Sequence, residues 1–354
     1  MSAKIIGMLG DGQLGRMSAQ AGKKLGLQTH VYGTEDNAPG TQVADFSTKA
    51  AYEDQAALKK FADRVDVITY EFENIPVETV RYLETLKPVY PSSQVLAIAQ
   101  ERIAEKTAMN QYGLPTTRFA PARSPQDIKA VMKEWNASAC IIKTTRFGYD
   151  GKGQAFIKDS GEIERGWALL KADIVIVEEV VDFKCEISVI VARDQHGHVG
   201  SFTPGLNVHQ HHILHTTTVP APLPPHLLED AQTIAQTLAE KINLIGVLGV
   251  ELFVTQDLKL LVNEIAPRPH NSGHWTIDAC ACSQFEQHMR AVSGMELGSF
   301  ARHHDALMTN LLGEDIFQRD QLAAQPNTFV TDYGKKEAKP GRKMGHVTVL
   351  GSVN

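Results

Sequence analysis

The sequence predicts an α/β and α+β fold of several domains, with a parallel sheet at the amino terminus and smaller mixed units after it. The first hundred residues alternate apolar runs with segments of helical periodicity, which is typical of strand-helix units on a parallel sheet. Farther along, two apolar runs flank a turn at Gln256 and Asp257, which is typical of an antiparallel hairpin. The 354 residues, 43% of them hydrophobic, allow roughly two or three domains.

The first predicted domain covers residues 1–100. Its predicted strands are residues 4–9, 29–32 and 65–70. Its predicted helices are residues 13–25, 51–61 and 77–86. A proline-rich passage at residues 87–93 ends this alternation, which places a domain boundary near residue 100.

A small α+β unit, expected to act as a lid, is predicted for residues 101–175. The second region begins with a helix at residues 95–112, with Gly113 as the C-cap. A second helix at residues 126–135 has Ser124 as its N-cap and Pro125 in its first turn. Strands at residues 140–143 and 154–158 then flank a glycine-rich loop.

The third predicted domain covers residues 176–300, and a small fourth domain covers residues 301–354. The third region contains strands at 174–181 and 186–193, an irregular histidine-rich stretch, an amphipathic helix at 226–242, and hairpin strands at 247–254 and 258–265. The final region is shorter and ends in a basic segment.

Composition favours a protein that binds small molecules inside the cell. The formal net charge of -6 gives no overall attraction to nucleic acid or to anionic lipid. The longest apolar run, residues 244–254, is too short to span a membrane, and no secretory signal follows Lys4. The four cysteines lack redox or zinc spacing, so we interpret them as buried thiols. We therefore expect a cytoplasmic location, with neither nucleic acid nor membrane as a partner.

The segment Gly10-Asp11-Gly12-Gln13-Leu14-Gly15 follows the first strand and precedes a helix. Its glycines allow a tight turn and let helix N–H groups face an anion, so a phosphate or a carboxylate is the expected ligand. Glu35 and Asp36 lie where a dinucleotide-binding motif has its acidic residue. The segment alone leaves open a nucleotide cofactor, another phosphorylated ligand, or close packing without a ligand. Glu71 and Glu73 end another strand and are candidates for binding ribose hydroxyls.

The loop Gly148-Tyr149-Asp150-Gly151-Lys152-Gly153-Gln154 lies between two apolar strands. Three glycines are more than a structural hairpin needs, and they predict a flap whose amides close over phosphate oxygens. Lys143 ends the preceding strand, where its ammonium suits the phosphates of a nucleotide. A solvent-exposed lysine at a strand end is the alternative interpretation.

Glu251 and Glu264 interrupt the two apolar strands of the predicted hairpin. Burying a carboxylate there is costly unless a cation or a donor compensates it. With a two-residue turn, position 251 lies opposite position 262, and the two glutamates become diagonal neighbours on one face. A one-residue change would instead place Asn263 beside Glu251. Paired carboxylates with bridging phosphates favour Mg²⁺, while a protonated glutamate or a salt bridge is the alternative.

The densest polar stretch, residues 263–275, follows the second of these strands. Its two prolines, Pro267 and Pro269, stiffen the loop, and a rigid loop can position reacting groups. Arg268 suits a developing negative charge on phosphate or carboxylate, and His270 suits proton transfer near neutral pH.

Together these motifs resemble those of the ATP-dependent N5-carboxyaminoimidazole ribonucleotide synthetases, a purine-pathway family of the ATP-grasp superfamily. The resemblance includes residues 10–17, 70–75, 148–154, 263–275, 333–335 and 340–346. It implies an ATP-grasp fold with an N-terminal Rossmann-like (pre-ATP-grasp) domain and a small C-terminal domain. It also implies a C–N bond-forming ligase in which ATP and bicarbonate give carboxyphosphate, whose carbon dioxide is captured by the amine of 5-aminoimidazole ribonucleotide. ADP and phosphate are released, and a homodimer is expected.

The resemblance also implies roles for individual residues. For ATP it implies Arg102, Lys143, Gly148, Tyr149, Asp150, Gly151, Lys152, Gly153, Gln154, Glu178, Glu179, Val180, Val181, Glu186, Asn263 and Glu264. For magnesium it implies Glu251 and Glu264. For the ribonucleotide it implies Gln13, Leu14, Glu73, Asn271, Ser272, Lys335 and Arg342. For positioning the imidazole nucleotide and carboxyphosphate it implies Tyr149, Asp150, Arg268 and His270.

Two positions depart from the family pattern, because His212 and Phe147 stand where glycine is common. The histidines near His212 lie on one segment without a second group of metal ligands, so we do not predict zinc. Three rival functions remain at this point. They are an ATP-grasp ligase acting on another ribonucleotide, a Rossmann oxidoreductase, and a regulator that binds nucleotide without turnover.

Overall fold

The computed structural model describes residues 3–148 and 152–352. Within these ranges the strands form three sheets, one parallel and two antiparallel. In the described part of the chain, no helix is both long and apolar enough to cross a membrane.

The first sheet is parallel and lies in the first hundred residues. This region contains β1 (Ile5–Leu9), α1 (Gln13–Lys24), β2 (Gln28–Gly33), β3 (Phe46–Lys49), α2 (Gln55–Ala62), β4 (Val67–Tyr70), α3 (Val77–Glu84) and α4 (Ser93–Gln100). The strand order is β3-β2-β1-β4, which confirms the predicted parallel sheet. Leu9 pairs with Tyr70, so the glycine segment after β1 and the glutamates after β4 leave the same edge of the sheet.

The second sheet is antiparallel and belongs to the small unit. This unit contains α5 (Arg102–Gln111), β5 (Phe119–Ala122), α6 (Pro125–Glu134), β6 (Cys140–Thr144), β7 (Gln154–Ile157), α7 (Ile163–Leu170) and β8 (Val175–Glu179). We predicted β8 as the first strand of the third region, but it pairs with β5 and β6. This sheet therefore continues past the expected boundary at residue 175, while the domain boundaries themselves stay predictions.

The single helix predicted at residues 95–112 is two helices, α4 and α5. Glu101 interrupts them with an extended backbone (φ -127°, ψ 112°), and its carboxylate accepts a hydrogen bond from Ala104 N. The apolar periodicity continues through the break, and glutamate is a good helix former, so the sequence pattern does not reveal it. The break places Arg102 in the first turn of α5, where its N–H donates to Thr145 O.

The third sheet has nine strands and extends through the rest of the described chain. Its region contains β9 (Phe183–Arg193), β10 (Val199–Ser201), β11 (Gly205–Gln210), β12 (Ile213–Val219), α8 (Pro225–Lys241), β13 (Gly246–Thr255), β14 (Leu260–Ala266), α9 (Thr276–Ala279), α10 (Gln284–Ser293), β15 (Asp305–Leu312), α11 (Arg319–Ala323), β16 (Thr328–Asp332) and β17 (Lys343–Gly351). The main order is β14-β13-β9-β11-β12-β15-β17-β16, with β10 paired to β9. The final strands extend this sheet by pairing β15 with β12.

The amphipathic helix predicted at residues 226–242 is confirmed as α8. Leu227, Ala231, Ala235 and Leu238 are buried in the largest apolar cluster, together with residues of β9 and β13. Burial of this helical stripe against the sheet is the main source of the helix's stability. Helix α8 therefore covers one face of the nine-strand sheet, at β9 and β13.

The stretch predicted to be irregular forms the hairpin of β11 and β12, so that prediction was wrong. Its many histidines and threonines conceal the alternation of a strand, because one face of the hairpin remains partly exposed. The two-residue loop between Gln210 and Ile213 contains His211 (φ 51°) and His212 (φ 65°). Such mirror-image turns favour glycine or asparagine, which accounts for the glycine usual at position 212 in the family. Phe147 also has a positive φ, of 60°.

Candidate active site

A cleft lies among the loop after β4, the start of α5, the loop after β6 and the end of β14. Its lining includes Arg102, Gly148 and Glu264 from the residues expected at ATP, and Glu73, Arg268 and His270 from those expected at the ribonucleotide. Glu73 and His270 therefore line the same cleft although they are 197 residues apart in the sequence. The fold therefore brings three residues from each predicted set to one cleft.

Glu251 and Glu264 are directly opposite each other on β13 and β14, and not diagonal as predicted. Leu252 pairs with Val262, and a bulge then leaves Asn263 as the extra residue. The turn is also one residue longer than expected, and it contains Leu258 at φ 61°. Direct pairing brings the two carboxylates closer together than the predicted register would.

The carboxylate pair fits a divalent cation with oxygen ligands. Burial, followed by the negative charge of Glu264, raises the pKa of Glu251 to about 8. Among the residues that the structure describes, Asn263 Oδ1 is buried without a hydrogen-bond partner. Two paired carboxylates, with an unpartnered amide oxygen on the residue beside Glu264, are therefore suited to added positive charge.

Arg102 connects this carboxylate pair to the glycine-rich loop. Its Nη1 lies 3.1 Å from Glu264 Oε2, and its Nη2 donates to Gly148 O over 3.4 Å. The side chain is only 17% exposed, so the guanidinium faces the cleft and not bulk solvent. A planar cation in this place suits the oxygens of a phosphate.

Lys143 binds a buried glutamate at the end of its strand. Lys143 Nζ lies 2.6 Å from Glu178 Oε2, and Lys106 Nζ lies 3.4 Å from Glu178 Oε1. Lys106 also donates to Thr117 Oγ1 and to Asn263 O. The carboxylate of Glu178 thus lies between two lysines, and its residue pairs with both β5 and β6.

Lys106 and Glu105 were missed by sequence reasoning. Both are buried on α5, where Glu105 accepts a hydrogen bond from Ile265 N at 2.7 Å. Burial is the largest cause that raises the pKa of Glu105 to about 8. Charged residues on an amphipathic helix usually face solvent, so the local pattern gives no signal for these two.

The other strand residues expected at ATP lie on β8, on β9 and in the link between these strands. Glu179 lies 4.0 Å from Arg118, and Val180 is 40% exposed at the end of β8. Val181 lies in the link to β9. Glu186 Oε2 lies 3.2 Å from His209 Nδ1. Burial lowers the pKa of His209, but the hydrogen bond and the charge of Glu186 outweigh burial, so this pKa is raised overall. Sequence reasoning considered His209 only as a zinc ligand, because the pairing of β11 with β9 was not predicted.

Only part of the predicted flap lies within the described residues. Gln154 begins β7 and pairs with Lys143 on β6. Gly153 has φ 72°, and its carbonyl accepts a hydrogen bond from Thr144 N. Lys152 follows the gap, whereas Tyr149, Asp150 and Gly151 lie outside the described residues.

Arg268 and Glu73, both expected at the ribonucleotide, form a two-point ion pair in the cleft. Arg268 Nη2 donates to Glu73 Oε1 at 3.0 Å, and Nε donates to Oε2. Burial alone would raise the pKa of Glu73, but the charge and hydrogen bonds of Arg268 lower it to about 2. Glu73 is therefore ionised near neutral pH and fixes the orientation of the guanidinium.

His270 lies between the carboxylate pair and a serine. Its Nε2 lies 3.2 Å from Glu251 Oε1, and its Nδ1 lies 2.8 Å from Ser272 Oγ. Burial and the nearby Arg268 lower the pKa of His270 to about 3. This does not match the expected proton exchange near neutral pH, because an imidazole with this pKa remains neutral.

The backbone around His270 is fixed by buried amides and hydroxyls. Gln284 accepts from His270 N at 2.9 Å and donates to His270 O at 2.8 Å. Asn271 and Asn310 exchange side-chain hydrogen bonds, and Ser272 Oγ lies 2.7 Å from Ser188 Oγ. The side chains of Asn271 and Ser272, which we expected at the ribonucleotide, therefore bind other parts of the protein.

The amino-terminal glycine segment binds a carboxylate of the chain itself. Glu71 accepts hydrogen bonds from Gly12 N and Gly15 N, and Gln13 and Leu14 lie between these two glycines. Burial raises the pKa of Glu71 to about 7, against the lowering effect of the two amides. We predicted a phosphate or a carboxylate as the ligand of this segment, and the structure places the Glu71 carboxylate there.

The basic segment near the carboxyl terminus contacts the first domain. Gln42 Nε2 donates to Gly334 O at 2.9 Å. This hydrogen bond holds Gly334, the neighbour of Lys335 in the sequence, against the parallel-sheet region. Lys335 Nζ donates to Lys343 O at 2.7 Å, and burial followed by the charge of Arg342 lowers the pKa of Lys335 to about 8. Arg342 donates to Glu337 O at 3.3 Å.

Three family models match successive parts of this chain. They are the ribonucleotide synthetase preATP-grasp domain at residues 3–100, the ATP-grasp domain at residues 107–285, and the phosphoribosylaminoimidazole carboxylase C-terminal domain at residues 306–354. The ATP-grasp model alone covers half of the chain. The order of the three agrees with the expected fold class.

Individual relatives match over nearly their whole length. The N5-carboxyaminoimidazole ribonucleotide synthase of Brucella melitensis is 44% identical over 97% of this chain and 95% of its own. The ADP complex of an N5-carboxyaminoimidazole ribonucleotide synthetase has a TM-score of 0.95 and 39% identity, covering 100% of this chain and 94% of its own. The Aspergillus clavatus synthase complexed with ADP and 5-aminoimidazole ribonucleotide has a TM-score of 0.93 and 27% identity, covering 99% and 95%.

These matches extend over all three sheets and include the segments that form the cleft. This chain therefore belongs to the family of ATP-grasp N5-carboxyaminoimidazole ribonucleotide synthetases.

Proposed function

We propose that this protein is an ATP-dependent ligase that carboxylates 5-aminoimidazole ribonucleotide to N5-carboxyaminoimidazole ribonucleotide in purine biosynthesis. ATP and bicarbonate are the co-substrates, and ADP and phosphate are the other products. The observation that supports this proposal best is one cleft lined by Arg102 and Glu264 together with Glu73 and Arg268. A relative of the same family binds ADP and the aminoimidazole ribonucleotide together.

The ATP end of the cleft is proposed to comprise Arg102 and Gly148, which line it, together with Lys143 and the rest of the described flap. The cations suit the phosphate oxygens, and the exposed end of β8 offers backbone groups to adenine. The flap residues Gly148 and Lys152 to Gln154 would cover the phosphates and exclude water from a reactive carboxyphosphate. The family pattern extends this role to Tyr149, Asp150 and Gly151.

Glu251 and Glu264 are proposed to hold Mg²⁺, with Asn263 beside them. Their direct pairing, the raised pKa of Glu251 and the unpartnered Asn263 Oδ1 support this assignment. When bound, the cation neutralises charge on the phosphates and withdraws electron density from the transferred phosphoryl group. Arg102 assists by placing a second positive charge beside Glu264.

The ribonucleotide end is proposed to consist of two parts. Gln13, Leu14, Lys335 and Arg342 bind ribose and phosphate, since the basic segment contacts the first domain through Gly334. Arg268, oriented by Glu73, stabilises the negative charge of carboxyphosphate beside the amine that attacks carbon dioxide. His270 stays neutral, donates from Nε2 to Glu251 and accepts at Nδ1 from Ser272, so it fixes the site and does not carry positive charge.

Three further assignments belong to this proposal. The domains span residues 1–100, 101–175, 176–300 and 301–354, the protein is cytoplasmic, and it forms a homodimer. The family models at residues 3–100 and 306–354 support the first and last of these domains, and family membership supports the location and the dimer. Size-exclusion chromatography with light scattering would test the dimer directly.

Release of ADP tests the reaction. We expect purified protein to release ADP only when aminoimidazole ribonucleotide, bicarbonate, ATP and Mg²⁺ are all present. ADP release that instead requires glycinamide ribonucleotide and formate would favour another ATP-grasp ligase. ATP binding without any turnover would favour a regulator and contradict the proposal.

The variant Glu264→Gln tests the metal assignment. We expect it to lose at least about a hundredfold of the ADP-release rate, because a neutral amide cannot balance the charge of the cation. Glu240→Gln on the exposed side of α8 is the matched control and should keep the wild-type rate. A normal rate in Glu264→Gln with unchanged dependence on Mg²⁺ concentration would show that the assignment is wrong.

A further inference from the structure

Glu71 has no part in the proposed reaction, yet its carboxylate occupies the start of α1. One oxygen accepts from Gly12 N and the other from Gly15 N, and the residue is only 7% exposed. These two N–H groups, which we call the amide site, belong to the first turn of the helix, which otherwise has no side-chain cap. In dinucleotide-binding loops, such groups face a phosphate.

The space taken by Glu71 accounts for a glycine that backbone conformation does not require. Gly12 has φ -79°, which any residue can adopt, so its glycine is not needed for the turn. A Cβ added there would lie 2.7 Å from a carboxylate oxygen of Glu71. At Gly15 the same distance is 3.2 Å. The glycines at these positions therefore make room for an internal carboxylate.

Glu71 also joins two segments that bear proposed ribonucleotide contacts. Gln13 and Leu14 lie between the two amides that it binds. Glu73 follows it by two residues and orients Arg268 through two hydrogen bonds. A shift of the Glu71 carboxylate would therefore move the contacts on both segments relative to each other.

We infer that Glu71 is a positioning residue for the ribonucleotide pocket, which it builds by occupying the amide site and tying residues 12–15 to residues 71–73. This inference rests on the proposed function. It also explains why a dinucleotide-like glycine motif serves a different substrate here, because an internal carboxyl group already occupies the place of the pyrophosphate.

Kinetics of Glu71→Gln test the inference. The amide has one acceptor oxygen and a nitrogen that cannot accept from an N–H, so one of the two bonds is lost. We expect the KM for aminoimidazole ribonucleotide to rise about tenfold or more, while the KM for ATP stays within about twofold. Glu71→Asp, which keeps both acceptors on a shorter side chain, should restore part of the loss. An unchanged KM for the ribonucleotide, with only a lower Tm, would overturn the inference.

A double-mutant cycle on thermal unfolding tests the amide site without relying on activity. Gly12→Ala should lower the Tm of the wild type, because its methyl group meets the carboxylate of Glu71. In a Glu71→Ala background the same substitution should have less than half of that effect. Gly22→Ala on the same helix, which would meet Met289 instead, should lower the Tm equally in both backgrounds. Equal effects of Gly12→Ala in both would also overturn the inference.

The two experiments separate this inference from the proposed function. A wild type whose ADP release does not respond to aminoimidazole ribonucleotide would contradict the proposed function and, with it, the positioning role. A wild type that responds, combined with a normal ribonucleotide KM in Glu71→Gln, would contradict the positioning role alone.

Discussion

The Arg268 and Glu73 pair shows how a single buried contact can determine the pH dependence of stability. The carboxylate has a pKa of about 2 in the folded chain, against 4.5 for an unperturbed glutamate, because two hydrogen bonds from the guanidinium favour its ionised form. The pKa is lower in the folded state, so this contribution to stability is complete above pH 4.5 and is lost as the pH falls toward 2.

Glu73→Gln should therefore destabilise the protein by about 3 kcal/mol at pH 7, and by progressively less below pH 4.5. Urea unfolding of wild type and variant between pH 7 and pH 3 measures this difference. Glu78→Gln removes a glutamate from an exposed pair with Arg81 and should change stability little at any pH. A difference between wild type and Glu73→Gln that is independent of pH would contradict the role of the ion pair.

Single residues of the site were predicted from sequence with differing success. Arg102, Glu264, Glu73, Arg268 and His270 do face one cleft. The last four belong to motifs with a recognisable local pattern, whereas Arg102 was expected only from the family resemblance. The buried charges of α5 had no such pattern. A lysine or glutamate is recognised as buried only through its partners, and those partners are more than seventy residues away in sequence for Lys106 with Glu178 and for Glu105 with Ile265.

At the scale of elements, the turn between β11 and β12 has a strained conformation. His211 and His212 both have positive φ, in a region where residues with a Cβ are disfavoured. We expect His212→Gly to raise the free energy of unfolding by up to about 1 kcal/mol, since relief of strain exceeds the added flexibility of the unfolded chain.

Chemical denaturation compares this variant with Gln210→Gly, which places glycine in the extended part of β11. The control should be less stable than the wild type, because glycine in a strand has an entropic cost without any strain to relieve. If both glycine variants lose stability equally, the turn is not strained.

Helices and strands with a clear periodicity were predicted well, and their irregularities were not. The bulge at Asn263 shifts the pairing by one residue so that Glu264 faces Glu251, and the break at Glu101 places Arg102 at the start of α5. Neither has a local sequence signal. The bulge depends on how β14 meets β13, and the break brings Arg102 N to the carbonyl of Thr145.

At the scale of the whole molecule, the cleft is formed by segments from all three sheets, so ligand binding should stabilise the molecule as a whole. With MgATP at about a hundredfold excess over its Kd, binding adds about 2.7 kcal/mol to the free energy of unfolding. Thermal unfolding should therefore shift upward by a few degrees with MgATP.

EDTA should remove most of this shift, and NADH should cause none, because Glu71 occupies the amide site at residues 12 and 15. The Glu264→Gln variant should show a smaller shift than the wild type. An upward shift with NADH alone would instead support a dinucleotide-binding protein and contradict the assigned cleft.

The sequence by itself determined the order of the strands and helices with regular periodicity, the three glycine-rich or polar motifs, and the family they resemble. These features depend on residues close together in the chain, where local conformational preferences operate. Only the tertiary structure decided that Glu251 lies directly opposite Glu264, that Glu71 binds the amides of residues 12 and 15, and that the histidine-rich stretch joins the nine-strand sheet. Each of these features depends on contacts between segments that are distant in sequence. Such contacts determine the free energy of burying charges and of pairing strands.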